Sequence, residues 1–498
     1  MWRDRATGGP AARWKWGLAG VGLLVLWTVV GATWFLRTYL GPVTWDQVLF
    51  HLQNGGLDYA DPRMLWRGFR CLMAVLVLTG LSLCAVRRCV HLPRVAMWAV
   101  WAALSLGAVV SVQATVHDPC EPDPEGADYL ATYYVDPAEQ HWQRPAQAPA
   151  QLPDVLVVFV ESLDEEYVHP SHPDAPLLPH LTQLRDDLQT LGSLRNLSGA
   201  SWTMGGIFTA LCGLPLQPVG LMSRNTLEYS TRFFPGGRCL TDVMAGLGWD
   251  VSFYGGASLK FAGKGQFLKD HSVARRFGRE EWRRIAPGVE VEGWGVLDAG
   301  LVELAWADMQ RPRPRNAPRL SLLLTVDTHG PMGTLDPGCT LRRDDVPPED
   351  VMRSALRCAD KAVDSLVRRF VAERNGRPKV VWVMGDHLNP EPLLGDADLA
   401  PDFDGRSVFH ALARYDANGQ PLPMIDQHRE FTHVDVLPTL AEAIGLSWQP
   451  AAHQLGLGRS LLATPAQPTL AERDGLALMN GRLSCRSPRF QRLWLRGA

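Results

Sequence analysis

Val155-Leu156-Val157-Val158-Phe159-Val160 is an unbroken run of β-favouring apolar residues that ends on a carboxylate, Glu161. A strand wetted on one face alternates apolar with polar residues, so an unbroken run implies burial on both faces, the habit of a parallel sheet. Two further runs read the same way, LSLLLTV at 320–326 and VVWVM at 380–384. Between them lie helical patterns at 178–191, 239–247 and 351–370. Strands alternating with helices predict an α/β fold with a doubly wound sheet. In open sheets of this kind ligands collect beyond the carboxyl ends of the strands. There the sequence places Glu161, Asp327 with His329, and Asp386 with His387.

These residue types suit a divalent cation. Glu161 offers a hard oxygen ligand, and the adjacent Asp386 and His387, following Gly385 in VVWVMGDH, can both reach a metal from one tight turn. The run SGASWTMGGIFTALCGLPL (198–216) adds a candidate nucleophile. Ser201, Trp202 and Thr203 precede a short helix expected at 204–211, and backbone N–H groups at a helix N-terminus favour anions. A hydroxyl there next to a metal can become an alkoxide near neutral pH. His329, in LTVDTHGP, has the ionisation range to contact a phosphate or protonate a leaving alkoxide, with Asp327 two residues before it as an orienting group. The Gly-rich stretch 253–271 carries Lys260, Lys264 and Lys269, which could face an anionic group, although it lacks P-loop spacing.

Apolar residues are concentrated before residue 117. Uncharged stretches at 16–36, 71–86 and 95–116 predict about three transmembrane helices, the middle one requiring Arg70 and Arg87 to snorkel. Arg3, Arg5, Arg13 and Lys15, together with Arg87, Arg88 and Arg94, set a cytoplasmic N-terminus and put the polar part of the chain outside. The expected organisation is a membrane module at 1–117, a Pro-rich linker at 118–152, a catalytic domain at 153–464 and a basic C-terminal tail at 465–498. Six cysteines, Cys120, Cys212, Cys239, Cys339, Cys358 and Cys485, fall in the exported part, an even number that suits disulfides. Proximity in the chain favours Cys212 with Cys239 and Cys339 with Cys358. A formal net charge of −3 argues against a basic nucleic-acid binder, so no nucleic-acid partner is expected.

Glu after a buried strand, SWT before a helix, THGP after a second strand and GDH after a third resemble the extracytoplasmic phosphoglycerol and phosphoethanolamine transferases related to lipoteichoic acid synthase, in the alkaline phosphatase superfamily. The stretches SWTMGGIFTALCGLPL, RFFPGGRCLTDVM, FAGKGQFLKDHS, LLTVDTHGP and FTHVDVLPTL carry the likeness over 153–446, with LGPVTWDQVLFHL at 40–52. The resemblance is strongest to the glucan-modifying phosphoglycerol transferases. It implies a bacterial inner-membrane enzyme with a periplasmic catalytic domain, and one divalent metal, manganese, on Glu161, Thr203, Asp386 and His387. Thr203 would be the nucleophile and His329 a contact to the phosphoglycerol group, with Trp202, Lys260, Lys264 and Asp327 as candidate substrate contacts. The implied donor is phosphatidylglycerol and the implied acceptor a periplasmic glucan. A lipoteichoic-acid-type polymerase, a phosphoethanolamine transferase and an inactive glucan- or lipid-binding sensor are the alternatives. Related families often show HHP where this chain has His329-Gly330-Pro331, and a sulfatase would need CxPxR where this chain has CGLPL at 212–216.

Overall fold

The computed structural model describes residues 10–39, 62–88, 102, 105–110, 112, 128–143, 152–168, 177–217, 227–228, 231–313, 317–331, 333–338, 350–389, 405–424, 428–463, 467–485 and 487–495. The chain divides into two compact units, one holding 1–121 with 218–231 and the other holding 122–217 with 232–498.

The first unit contains two long helices, α1 (Pro10–Tyr39) and α2 (Pro62–Arg88). They pack through small residues: a Cβ on Gly31 would lie 2.6 Å from Val75, and the Cys71 thiol meets the Gly31 carbonyl at 3.4 Å. Trp27 Nε1 donates to Ser82 Oγ at 3.0 Å, so the indole's polar atom is satisfied inside the pair. Among the described residues one helix is long and apolar enough to cross a membrane, Trp66–Cys84, which overlaps the expected span 71–86. The apolar run expected at 16–36 lies within α1. Most of the run expected at 95–116 lies outside the described residues.

The second unit is built on a seven-stranded sheet. Its strands in chain order are β1 (Asp154–Val160), β2 (Asp250–Gly255), β3 (Arg275–Phe277), β4 (Arg319–Leu324), β5 (Lys379–Gly385), β6 (His410–Tyr415) and β7 (Pro421–Leu422). They lie side by side in the order β7-β6-β5-β1-β4-β2-β3. The first five in chain order run parallel to one another, whereas β6 pairs antiparallel with β5 and β7 with β6. The sheet is therefore mixed. The three apolar runs legible in the sequence are the adjacent central strands β5, β1 and β4, and every residue of each is buried.

One face of the sheet is covered by helices α3 (Pro179–Asp187), α7 (Asp298–Met309) and α8 (Val351–Ala372). Between α3 and α7 in the chain come α4 (Thr203–Cys212), α5 (Leu240–Gly246) and α6 (Lys264–Asp270). Leu156, Val158 and Val160 of β1 join Leu181, Leu301, Val363 and Phe370 in one apolar core. Asp154, at the opposite end of β1 from Glu161, is fully buried and paired with Arg313 (2.8 Å) and Arg319 (3.2 Å), which anchors the start of the strand.

Two parts of the chain are more tightly packed than composition suggested. Within the expected linker, residues 128–143 are folded: Asp128 caps a helical turn, and His141–Gln143 pairs antiparallel with Ser447–Gln449, where Trp142 packs on Trp448 at 5.4 Å. The indole pair holds down a stretch that has no helical periodicity. The expected basic tail forms helices Leu470–Asp474, Leu476–Ser484 and Pro488–Leu495, whose Phe490 and Trp494 are buried against Phe233 and Phe234. In Pro488–Leu495 the buried Phe490, Leu493 and Trp494 form one helical face, with Arg489 and Arg492 spaced between them. Cys212 and Cys239 are disulfide-bonded. Cys358 and Cys485 are also in disulfides, while Cys339 and Cys120 lie outside the described residues.

Candidate active site

Parallel pairing of β1 with β5 aligns Val160 with Gly385, so the next residues, Glu161 and Asp386, leave the sheet side by side. Helix α4 begins against them. Thr203 Oγ1 donates to Glu161 Oε2 at 3.2 Å, and His387 Nε2 lies 3.4 Å from Glu161 Oε1 and 3.6 Å from Asp386 Oδ2. Four residues from three distant parts of the sequence thus converge. Trp202, in extended conformation, is the residue before the helix, and its ring lies over Gly205.

The cluster is buried and charged. Burial would raise the Glu161 carboxyl, but the hydrogen bond and charge of His387, then the charge of His329, hold it down at about 2. Burial and then the Glu161 charge push Asp386 up to about 7. Burial disfavours a charged His387, yet Asp386 and Glu161 outweigh it and hold the imidazole at about 9. The two carboxylates demand positive charge in a place water does not reach, and His387 supplies one such charge for the pair.

A divalent cation fits that demand. One ligand atom from each of Glu161, Asp386 and His387 lies within 4.8 Å of the others. Asp386 Oδ2 is buried and has no hydrogen-bond partner among the described residues. The ring orientation is also right: His387 Nδ1 contacts the Leu388 carbonyl at 2.7 Å, and a carbonyl can only accept, so Nδ1 carries hydrogen and Nε2 is the ring atom turned to the carboxylates, free to bind a cation once its proton is displaced. A second cluster, Cys239 with Asp242 of α5 and His271, does not qualify, because the Cys239 sulfur is in the disulfide and His271 is hydrogen-bonded to Asp242 and the Phe233 carbonyl.

Other sequence candidates fare differently. Lys264 starts helix α6 and is almost fully buried; burial lowers its ammonium to about 8 against the pull of Glu161 and Asp386. Lys260 is exposed, on the lip of the same loop. His329 is half-buried, its Nδ1 donating to the Gly330 carbonyl at 2.9 Å, which leaves Nε2 to carry an exchangeable proton. Asp327 does not orient it. The Asp327 carboxylate instead accepts from the Asp298 amide at 2.9 Å, at the start of α7, where unsatisfied helical N–H groups attract it. Burial, then the charge of Asp298, push Asp327 up to about 9.

Several supporting residues were not among the candidate site residues read from the sequence. Ser162 adopts φ 53°, a left-handed conformation rare for serine, and from it donates Oγ to Glu161 Oε1 and its amide to Asp386 Oδ1, both at 2.8 Å. Thr325 Oγ1 accepts from the Glu161 amide and Thr328 Oγ1 donates to the Glu161 carbonyl. His433, in FTHVDVLPTL, is buried and reaches the Gly385 carbonyl through Nε2 at 3.2 Å. Gly385 itself remains in strand conformation; its need for glycine is close packing, since a Cβ would lie 2.4 Å from the Leu163 carbonyl oxygen.

The fold and the convergence of Glu161, Thr203, Asp386 and His387 at strand ends define an α/β protein of the alkaline phosphatase and sulfatase type. The sulfatase family profile matches residues 153–446, more than half the chain, and the chain belongs to that family. It is similar to phosphoglycerol transferase I of Xanthomonas campestris pv. campestris (strain B100), 29% identical over 332 residues that cover 66% of this chain and 45% of that one. Phosphoglycerol transferase I of Escherichia coli (strain SMS-3-5 / SECEC) is 27% identical over 386 residues, 75% of this chain and 48% of that one. The chain therefore spans about half the length of the curated relatives it matches. Among solved structures it is similar to a protein in the alkaline phosphatase superfamily from Vibrio parahaemolyticus, with TM-score 0.48, 18% identity, and 68% and 77% of the two chains covered.

Proposed function

We propose that this protein is a membrane-anchored, metal-dependent phosphoglycerol transferase that uses Thr203 as nucleophile, phosphatidylglycerol as donor and a periplasmic glucan as acceptor. The observation that carries the reading is the position of Thr203, first residue of α4 and 3.2 Å from Glu161 Oε2, beside the buried Asp386 and His387. The names of its curated relatives support the phosphoglycerol group. A type I sulfatase reading fails on its nucleophile, because Cys212 is in a disulfide and lies in CGLPL.

Glu161, Asp386 and His387, with Thr203 Oγ1, would hold one divalent cation, for which manganese is our choice. Bound there, it would supply Lewis acidity that makes a hydroxyl ionisable near neutral pH and offsets charge on phosphorus-bound oxygens. The chain's own groups do the rest. Glu161 orients the Thr203 hydroxyl, and the first N–H groups of α4 and the Lys264 ammonium face the phosphodiester. Thr203 Oγ, its proton already lost to solvent, attacks phosphorus and the bond from phosphorus to the diacylglycerol oxygen breaks, with His329 Nε2 giving that oxygen its proton. In the second half, an acceptor hydroxyl bonds to phosphorus, its proton returns to His329 Nε2, and the Thr203 Oγ–P bond breaks. Membrane anchoring through α2 would keep a lipid donor at high local concentration.

The test is solubilised full-length protein with labelled phosphatidylglycerol, with and without manganese. Metal-dependent diacylglycerol release and a phosphoglyceryl mass on Thr203 are expected, both lost in Thr203→Ala. Release that survives Thr203→Ala sinks the nucleophile. Turnover of phosphatidylethanolamine in its place moves the protein to the phosphoethanolamine transferases, and chain growth of glycerol phosphate to the lipoteichoic-acid type.

A further inference from the structure

Beside His329, at the mouth of the site, two aromatic side chains stand open to solvent. Trp294 is 43% exposed and Phe261 is 37% exposed. Their rings meet edge to face at 5.7 Å, and the Trp294 ring lies 4.3 Å from the His329 imidazole. Exposed aromatics on a soluble surface are ordinary when scattered singly, but a contiguous pair beside a catalytic group marks a binding site.

The pair is held in place rather than left on a loose loop. Trp294 sits at the tip of a hairpin, Val291–Glu292 with Gly295–Val296. The return strand of that hairpin is fixed to the loop after β2: the Val296 amide donates to the Gly256 carbonyl at 3.0 Å, and Gly295 bridges to Ala257. The approach is so close that a Cβ on Gly295 would lie 2.1 Å from the Gly256 oxygen. At the tip, Gly293 rests on Thr334, whose amide donates to the Asp327 carbonyl at 2.7 Å. Phe261 follows Gly256 and Ala257 in the same loop and is three residues before Lys264. The hairpin is thereby tied to the loop that delivers Lys264 and to the loop that delivers His329.

Resting on the transferase reading above, we propose that Trp294 and Phe261 form the acceptor subsite, a platform on which a neutral sugar ring stacks so that one hydroxyl reaches His329. A pyranose presents an apolar C–H face that matches an aromatic ring, and a rim of hydroxyl donors. The exposed carboxylate of Glu290, just before the hairpin, offers an acceptor for that rim. The position also suits the chemistry. A hydroxyl held on the platform would reach phosphorus on Thr203 as its proton passes to His329 Nε2, and the phosphoryl group would leave Thr203 for the sugar oxygen.

The experiment uses the solubilised full chain and a neutral six-unit gluco-oligosaccharide, in two arms. In the first, binding of the oligosaccharide to Thr203→Ala protein is measured by calorimetry, with and without Trp294→Ala. Loss of affinity of about tenfold is expected, restored to within about threefold by Trp294→Phe, since a stacked aromatic contact is worth about one such factor. In the second, diacylglycerol release and transfer to the oligosaccharide are followed in the same samples. Trp294→Ala and Phe261→Ala should raise the acceptor KM more than they lower donor cleavage. Unchanged oligosaccharide affinity, or equal losses of cleavage and transfer at an unchanged acceptor KM, would overturn the proposal. Loss of binding to phosphatidylglycerol vesicles with sugar binding intact would also overturn it, in favour of a membrane contact. The binding arm needs no turnover, so failure of the donor reaction would count against the transferase reading alone.

Discussion

Gly206 touches Asp386 backbone to backbone: a Cβ at Gly206 would lie 1.8 Å from the Asp386 carbonyl oxygen. The helix that carries Thr203 can approach the turn that carries Asp386 and His387 only because no side chain projects at that point. A helical glycine costs about 1 kcal/mol relative to alanine. Here that cost is offset by the geometry of the site.

Gly206→Ala is therefore expected to separate Thr203 from the Asp386–His387 turn. A displacement near 1 Å at a reacting group costs about a hundredfold in rate. Diacylglycerol release should fall by about that factor in a protein that remains folded by circular dichroism. Wild-type rates in Gly206→Ala would show that the contact does not position the nucleophile.

Ser162 offers a second test of positioning. Its Oγ and amide hold Glu161 Oε1 and Asp386 Oδ1 at 2.8 Å. Residues that orient metal-binding carboxylates usually change affinity about 10–100-fold when removed. Ser162→Ala should weaken manganese binding by that order in a calorimetric titration. Ser162→Gly, which relaxes the left-handed backbone at φ 53°, should weaken it as well, because the hydroxyl is what is lost. Affinity restored by glycine would assign the role to the backbone alone.

Metal should stabilise the folded protein by mass action. At a hundredfold excess over the dissociation constant the gain is about 2.7 kcal/mol. The melting temperature should rise with manganese, fall with chelator, and lose this response in His387→Ala and Glu161→Gln. A response that persists in both variants would place the cation elsewhere.

The buried His410 predicts acid sensitivity remote from the site. The Leu191 amide donates to His410 Nε2 at 3.0 Å, which requires the neutral ring, and burial lowers its pKa to about 3. The unfolded chain takes up this proton near pH 6.5 and the folded chain only near pH 3, so the unfolded state binds more protons between the two values. The stability contributed is present above about pH 6.5 and is lost as pH falls towards 3, at about 1.4 kcal/mol per pH unit. His410→Gln, which keeps an acceptor for Leu191, should flatten denaturant midpoints across that window. An unchanged slope in the variant would remove His410 as the cause.

The sequence by itself determined the central strands and the ligand end of the sheet. Burial on both faces leaves strands β1, β4 and β5 no polar alternation, so they stand out as apolar runs, and the polar residues just past each run mark where ligands collect. Glu161, Asp386, His387 and His329 were legible for that reason, and Thr203 from its place before a helix. β6 and β7 were not, because edge pairing depends on a chain reversal that no periodicity encodes, and it makes the sheet mixed. The folding of residues 128–143, 470–485 and 487–495 was hidden in the same way, since Trp142 on Trp448 and Trp494 on Phe233 are contacts between remote positions. Only the tertiary structure decided that Asp327 serves the start of α7, that Ser162 braces two carboxylates, and that Gly206 admits Asp386. Each is a matter of where a side chain points after distant segments meet, and local residue preference carries no record of that meeting.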